Sequence, residues 1–408
     1  MTKDFSAARA WHELTDVSPP IAFGPRNSSS AERAASPFNS FFLAGFECST
    51  HRRSDGRRLD LLASTGHDRF FAEDYRALMR HGIATVRDGL RWHLIEIAPG
   101  AYDWSSALPM LRAARGHGMQ VVWDLCHYGW PDGLDIWSGS FVERFARFSA
   151  AAARIVCEES DAAPFFCTVN EISYWAWAGG EVGRFGPGTH GRGDELKRQL
   201  ARASIAATAA IRAVNPRTRF LHAEPAIHVA PRSSSRDDLL AAETYHDAQF
   251  HALDMIAGRR CPELGGHPDC LDIVGINYYP DNQWVHGGGA IPLGHHAYRP
   301  LRELLAEFHT RYGRPLILSE TGAEGTARAS WLHYVSSEVR AAREAGVRVE
   351  GICLYPILDY PGWDNDRPCA VGLMSVPDGR GHRRTDPELA AELSNQRARA
   401  PIGLSTEP

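Results

Sequence analysis

Eight short apolar runs, each closed by a polar residue, recur along the chain with helical stretches between them. The runs occupy 41–47, 84–88, 120–126, 164–169, 218–223, 271–278, 315–319 and 350–356. Between them, Phe70 to Met79, Phe141 to Val156, Leu200 to Val214 and Leu301 to Arg311 carry apolar residues at three- and four-residue spacing, the period of a helix with one buried face. Gly82, Gly118 and Gly313 stand just before strands, where a left-handed residue closes a helix. A run that is apolar throughout is buried on both faces, which is the condition of a parallel strand. Strand–helix alternation of this kind, with no GxGxxG after the first strand, predicts a (β/α)8 TIM barrel of the α/β class rather than a doubly wound sheet. The barrel is expected over 39–400. Residues 1–38, rich in Ser, Ala, Pro and Arg, read as an irregular N-terminal arm.

Composition narrows the partners. With 408 residues, 44% apolar and 23% charged, the chain can build one large domain or two smaller ones. A net charge of −5 without long charge runs points to neither nucleic acid nor an anionic membrane as partner. No stretch approaches the roughly 18 apolar residues of a membrane helix. Met1 to Ala10 lack a basic segment followed by an apolar core, so a cytoplasmic location is expected. The eight cysteines include no CxxC pair. Cys126, Cys157, Cys167 and Cys353 sit in apolar surroundings as core fillers, while Cys261 and Cys270 bracket a loop and could pair or remain reduced. His222, Glu224 and His228 have the types of metal ligands but are poorly spaced to converge, so neither metal nor cofactor is expected.

The polar strand ends carry the chemistry. Glu47, Arg87, His127, Asn170-Glu171, Glu224, Asn277 to Tyr279, Glu320 and Tyr355 each follow or close a run, at the face where a barrel of this kind builds its site. Phe165-Phe166-Cys167-Thr168-Val169-Asn170-Glu171 and Pro315-Leu316-Ile317-Leu318-Ser319-Glu320 end abruptly in a carboxylate, which gains no stability at the tip of a buried strand. Each could be a surface carboxylate or half of an ion pair with Arg87. Together, on strands four and seven, they suit glycoside hydrolysis with one acid/base and one nucleophile. Arg87 and Tyr279 are then expected to lower the pKa of the nucleophile Glu320, and a drier setting to keep Glu171 protonated. Asn170 can reach a sugar 2-hydroxyl. His127 suits another hydroxyl or is a core histidine. Of the aromatics crowding these loops (Trp92, Tyr128, Trp130, Trp137, Trp175, Trp177, Tyr355 and Trp363), Trp363 and Trp175 are the favoured sugar platforms.

These strings resemble those of retaining β-glycosidases of the (β/α)8 clan with glutamates on strands four and seven, most closely the family 1 β-glucosidases. Thr168-Val169-Asn170-Glu171 is similar to that family's acid/base motif and Ser319-Glu320-Thr321-Gly322 to its nucleophile motif. Val86-Arg87 with Trp92, Cys126-His127-Tyr128, Asp272 to Tyr279, and Tyr355-Pro356-Ile357-Leu358-Asp359 ahead of Trp363 match as well. The resemblance spans roughly 41 to 375. It implies a carbohydrate substrate, Glu171 as acid/base, Glu320 as nucleophile, and Arg87, His127, Asn170, Asn277, Tyr279, Tyr355 and Trp363 around the sugar. Two departures stand out. Where the family carries a Gln after strand one, this chain reads Glu47-Cys48-Ser49-Thr50-His51-Arg52, and Gly362 precedes Trp363 where the family has a Glu. The first string and Thr65-Gly66-His67-Asp68-Arg69 look like a divergent bacterial branch. The resemblance therefore implies altered glycone specificity, with Glu47 and Arg52 as candidate sugar contacts. Arg52 and Arg69 could grip an anionic substituent, or pair with Asp60 or Asp68 and support the fold. A transglycosylase using the same glutamates and a non-catalytic carbohydrate-binding barrel are the alternative readings.

Overall fold

Eight parallel strands close on themselves in the computed structural model of the chain, which describes residues 36–399. Nearly all of the expected arm lies outside the described residues. The strands are β1 (Phe42–Gly45), β2 (Thr85–Gly89), β3 (Gln120–Asp124), β4 (Phe165–Cys167), β5 (Arg219–Pro225), β6 (Ile273–Asn277), β7 (Leu316–Thr321) and β8 (Val349–Leu354). Each pairs with its neighbours in chain order, and β8 returns to β1 through Phe42 opposite Ile352. Helices α1 (His67–Arg80), α2 (Leu108–Gly116), α3 (Gly139–Glu159), α4 (Gly193–Val214), α5 (Arg236–Asp247), α6 (Leu301–Tyr312), α7 (Ala327–Glu344) and α8 (Pro387–Arg399) follow the strands in turn. The expected (β/α)8 barrel is the observed one. Each of the eight runs overlaps a barrel strand.

The two-residue period of a strand sorts the core into two layers. Leu43, Val122, Phe165, Cys167, Leu221, Ala223, Ile273, Ile317 and Cys353 fill the barrel interior. Alternate residues such as Phe42, Val86, Trp123, Phe166, Phe220, Val274, Leu318 and Ile352 join the larger cluster beneath the helices. Trp92 belongs to that outer layer. Its ring lies 5.0 Å from Phe145 and its Nε1 donates to Glu96 at 2.7 Å, which makes it structural. Helices end as their glycines predict: Gly82, Gly118 and Gly313 have φ of 70, 65 and 61°.

The Thr65-Gly66-His67-Asp68-Arg69 string resolves into a brace. His67 is fully buried, stacked 3.5 Å over Phe46, with Nδ1 2.8 Å from Asp74 of α1 and Nε2 2.9 Å from Asp88 of β2. Burial pulls its pKa down, but Asp88 and Asp74 outweigh it and hold it at about 9. Arg383 closes the group, 2.6 Å from Asp74. Cys261 and Cys270 are unbridged. No helix among the described residues is long and apolar enough to cross a membrane.

Candidate active site

Two local distortions bring the glutamates to the barrel mouth. After β4 the chain reaches Glu171 in the left-handed region, φ 44° and ψ 61°, its N–H donating to the Ala223 carbonyl at 2.9 Å. A residue with a Cβ held there stores on the order of 1–3 kcal/mol, a cost concentrated at functional sites. On β7 the pairing with β6 slips between Leu318 and Glu320, so one extra residue is accommodated. Such a bulge re-aims side chains. Here the consecutive residues Ser319 and Glu320 both reach groups from other strands. Gly275 of β6 makes room, since a Cβ there would lie 2.5 Å from Ser319 Oγ.

Arg87, wholly buried, is the hub. Its Nη1 donates to the Ser319 carbonyl at 2.9 Å and to Glu320 Oε1 at 3.1 Å. Its Nη2 donates to Asp124 Oδ2 at 2.7 Å and to Asn170 Oδ1 at 3.1 Å. Tyr279 donates its hydroxyl to the other oxygen of Glu320 at 2.9 Å. Because Arg87 pins the amide oxygen of Asn170, its Nδ2 turns to His127 Nε2, 3.1 Å away, and to the Tyr128 hydroxyl at 3.2 Å. Tyr128 donates to Glu171 Oε2, and Asn277 Nδ2 donates to Glu171 Oε1 at 3.1 Å. Asn277 in turn accepts from Ser319 Oγ at 2.6 Å, linking the two glutamate-bearing strands. Glu171, Glu320, Arg87, His127, Asn170, Asn277 and Tyr279 are thus brought into one network.

Its electrostatics differ from the sequence-based expectation. Glu320 is pushed up to about 7, chiefly by burial, with the charge of Glu171 adding to the effect and Arg87 opposing it. The guanidinium does not win because Asp124 shares it. Burial in a dry pocket, with the cation divided between two carboxylates, leaves the Glu320 carboxyl raised. The Tyr128 and Tyr279 phenols are pushed above their usual range by burial and by both glutamates, and so remain donors.

Around this network stand Glu47, Tyr355 and Trp363. Glu47 is buried, accepts from Ser49 N at 3.0 Å and lies 3.9 Å from His127 Nε2. The Tyr355 ring is parallel to His127 at 6.1 Å and beneath Arg87 at 5.5 Å. Gly45 admits it, because a Cβ there would fall 2.1 Å from the ring. Trp363 is half-buried, 5.7 Å from the Tyr128 ring. Trp175 is instead fully buried, its Nε1 donating to the Gly186 carbonyl at 2.8 Å, so it is core rather than platform.

Arg52 is not brought to the glutamates. It is 44% exposed and bonds Asp132 through two nitrogens, at 2.9 and 2.6 Å. Arg69 is 69% exposed beside Asp68. Neither reaches the network.

Asp124 and Tyr128 were not singled out from sequence as site residues. Asp124 closes the apolar run Val121-Val122-Trp123, the same signal that marked the glutamates, and Tyr128 follows His127 directly. Cys48 Sγ, Asp124 and His127 offer ligand atoms within 4.8 Å of one another. The bonds from Arg87 and Asn170 account for Asp124 and His127 as members of a hydrogen-bonded chain. His222 bonds the Cys270 carbonyl at 2.8 Å and Glu224 accepts from Ser173 N at 3.0 Å, so those two are committed separately.

No family model matches the sequence, and no curated protein matches it. Solved structures do. The β-glucosidase from Thermotoga maritima in complex with glucoimidazole superposes with a TM-score of 0.72 at 15% identity, covering 89% of this chain and 99% of that one. The AHE enzyme from Alicyclobacillus herbarius gives 0.71 at 20% identity over 82% of this chain and 87% of that one. The β-glycosidase from Pyrococcus horikoshii gives 0.68 at 16% identity over 82% and 85%. The chain shares their fold.

Proposed function

We propose that this chain is a retaining β-glycoside hydrolase acting by double displacement, with Glu320 as nucleophile and Glu171 as acid/base. The observation that carries this reading is the difference between the two carboxylates' partners. Glu320 touches a guanidinium at 3.1 Å, whereas Glu171 accepts from a phenol and an amide, both neutral. A contacting cation favours the ionised form that a nucleophile needs, which Glu320 takes up above about pH 7. In the first step a Glu320 oxygen attacks the anomeric carbon as Glu171 gives its proton to the glycosidic oxygen, and the aglycone leaves as an alcohol. In the second, Glu171 takes a proton from water, the water oxygen attacks the same carbon, and Glu320 is released. Asn170, held between Arg87 and His127, is positioned to bond the sugar 2-hydroxyl, a contact that strengthens in the transition state.

The sugar-reading side is rewritten relative to a plain β-glucosidase. Glu47 adds a buried carboxylate after β1, and Gly362 carries none before Trp363. The fold likeness to β-glucosidases and β-glycosidases supports the reaction class and leaves the glycone to this chain's own residues. The test is a panel of aryl β-glycosides and disaccharides, with anomeric configuration followed by NMR during turnover and with added sugar acceptors. Release of the β-anomer first, mainly to water, is expected. First release of the α-anomer, or no turnover on any member, overturns the proposal.

A further inference from the structure

Three buried polar atoms that find no partner among the described residues gather on one wall of the same mouth: His51 Nδ1, Tyr355 Oη and Trp363 Nε1. Buried polar groups are ordinarily hydrogen-bonded, so a cluster of unsatisfied ones marks where another molecule completes the set. The wall is continuous. The His51 ring, 2% exposed, lies 4.7 Å from Trp363 and 6.2 Å from Tyr128, whose hydroxyl holds Glu171. From Tyr128 the contacts run to His127 at 4.8 Å and on to Tyr355 at 6.1 Å. The unsatisfied atoms thus border the acid/base on one side and the Arg87 hub on the other.

The charge around them is already allocated. Arg87 is bound by Asp124 and Glu320, Arg52 and Arg58 by Asp132, Arg184 by Asp364, and Arg53 by Asp366 and the Asp364 carbonyl. The buried carboxylates lie against the same wall: Glu171 accepts from Tyr128, Glu47 is 3.9 Å from His127, and Glu320 is 3.1 Å from Arg87. A sugar bearing a carboxylate or phosphate would meet carboxyl groups and a guanidinium already shared. An uncharged sugar meets donors and acceptors. Burial, with His127 and Arg184 adding to it, holds the His51 pKa down to about 3, so its imidazole is neutral and one ring nitrogen donates while the other accepts.

We infer that His51 is a specificity-determining residue that hydrogen-bonds a ring hydroxyl of an uncharged glycone through Nδ1, with the Tyr355 hydroxyl and Trp363 Nε1 taking neighbouring hydroxyls. This rests on the glycosidase reading and names its substrate class. His51 does not touch the reacting atoms; it selects what enters.

The experiment uses the full chain and monodeoxy 4-nitrophenyl β-glycosides, with the parent glycoside, the β-glucuronide and the 6-phospho-β-glucoside for comparison. In the wild type, removal of one ring hydroxyl lowers kcat/KM. His51→Phe, which keeps a packed ring and removes both nitrogens, is expected to lower kcat/KM on the parent at least tenfold and to abolish the penalty at that one position. His51→Gln, which restores an amide, is expected to recover part of it. Thermal melting accompanies each variant, and His51→Leu, which also removes both nitrogens, carries the test if the Phe variant does not fold. An unchanged deoxy profile in the folded Phe or Leu variant, or preference of the wild type for the glucuronide or phosphoglucoside, overturns the inference while the hydrolase reading stands. A folded wild type that turns over no glycoside overturns the hydrolase reading and this inference with it.

Discussion

Arg87 meets Glu320 through one nitrogen only, Nη1 at 3.1 Å from Oε1, because its other terminal nitrogen lies 2.7 Å from Asp124. Asp124 therefore governs how much positive charge the nucleophile candidate feels. In the wild type kcat/KM should rise with pH through about 7 as Glu320 loses its proton. Asp124→Asn removes the competing anion, leaves the guanidinium to Glu320, and should move that limb to lower pH by about one unit. A pH–rate profile with the limb unmoved would show that Asp124 does not set it.

The same raised pKa has a consequence for folding. A carboxyl at 4.5 when unfolded and about 7 when folded binds more protons in the native state between those values. Stability therefore falls as pH rises through that window, by up to about 3 kcal/mol for this one group. Glu320→Gln removes the penalty. Its melting temperature should exceed the wild type's at pH 8, and the gap should close toward pH 4.5. A constant gap across pH would mean that the substitution acts through packing rather than charge.

Sequence singled out the two glutamates as residues with no structural reason to be where they are. Glu171 and Glu320 end buried strands, and no fold needs a carboxylate there. The barrel itself was legible because its strands are apolar on both faces and its helices on one, two periods that do not blur. What sequence could not show was contact across the barrel. Asp124 and Arg87 are 37 residues apart and meet only once β2 and β3 pair with Arg87 opposite Val122. Without that pairing, Arg87 looked wholly available to Glu320, and the expected direction of the Glu320 shift was wrong for that reason. Arg52 misled in the opposite way. Five positions beyond Glu47, it lies on a segment that turns outward to Asp132. His51, one residue before it, turns in, and nothing in the string distinguishes the two.

The two glutamates should fail differently. Glu320→Ala removes the atom that forms the covalent intermediate, so turnover should vanish, and azide or formate should restore part of it by attacking the anomeric carbon from outside. Glu171→Ala should retain activity on aryl glycosides with acidic leaving groups and lose it steeply as leaving-group pKa rises, since those substrates need the proton. The measurement is kcat/KM against leaving-group pKa for both variants. Identical slopes would reverse or dissolve the assignment of roles.

His67 predicts a second, separate pH dependence. Its pKa is raised from 6.5 to about 9 by Asp88 and Asp74 against the pull of burial. Its contribution is complete below the unfolded value and is lost as pH rises through the folded one. Wild-type melting temperature should fall between about pH 7 and 9 through this term. His67→Ala leaves buried Asp88 without its cation, while Asp74 keeps Arg383, and should cost about 3–5 kcal/mol at pH 6. Chemical denaturation at pH 6 and pH 9 checks both. A wild type as stable at pH 9 as at pH 6, relative to the variant, would mean that His67 is neutral in the fold.

Arg52 supplies the contrast to His51. Its guanidinium is paired to Asp132 at an exposed position, and such pairs contribute about 0–1 kcal/mol. Arg52→Ala should therefore leave kcat/KM on the preferred uncharged glycoside within about twofold, and melting nearly unchanged. Asp132 also bonds Arg58, which keeps the loop anchored when Arg52 is gone. The informative arm is an anionic glycoside. If Arg52 gripped a sugar carboxylate or phosphate, its removal would selectively lower kcat/KM on the glucuronide or phosphoglucoside by tenfold or more, since a charge-assisted pair carries about 1.5–3 kcal/mol. Because both of its carboxylate contacts are made within the protein, the two classes of glycoside should be affected equally and slightly.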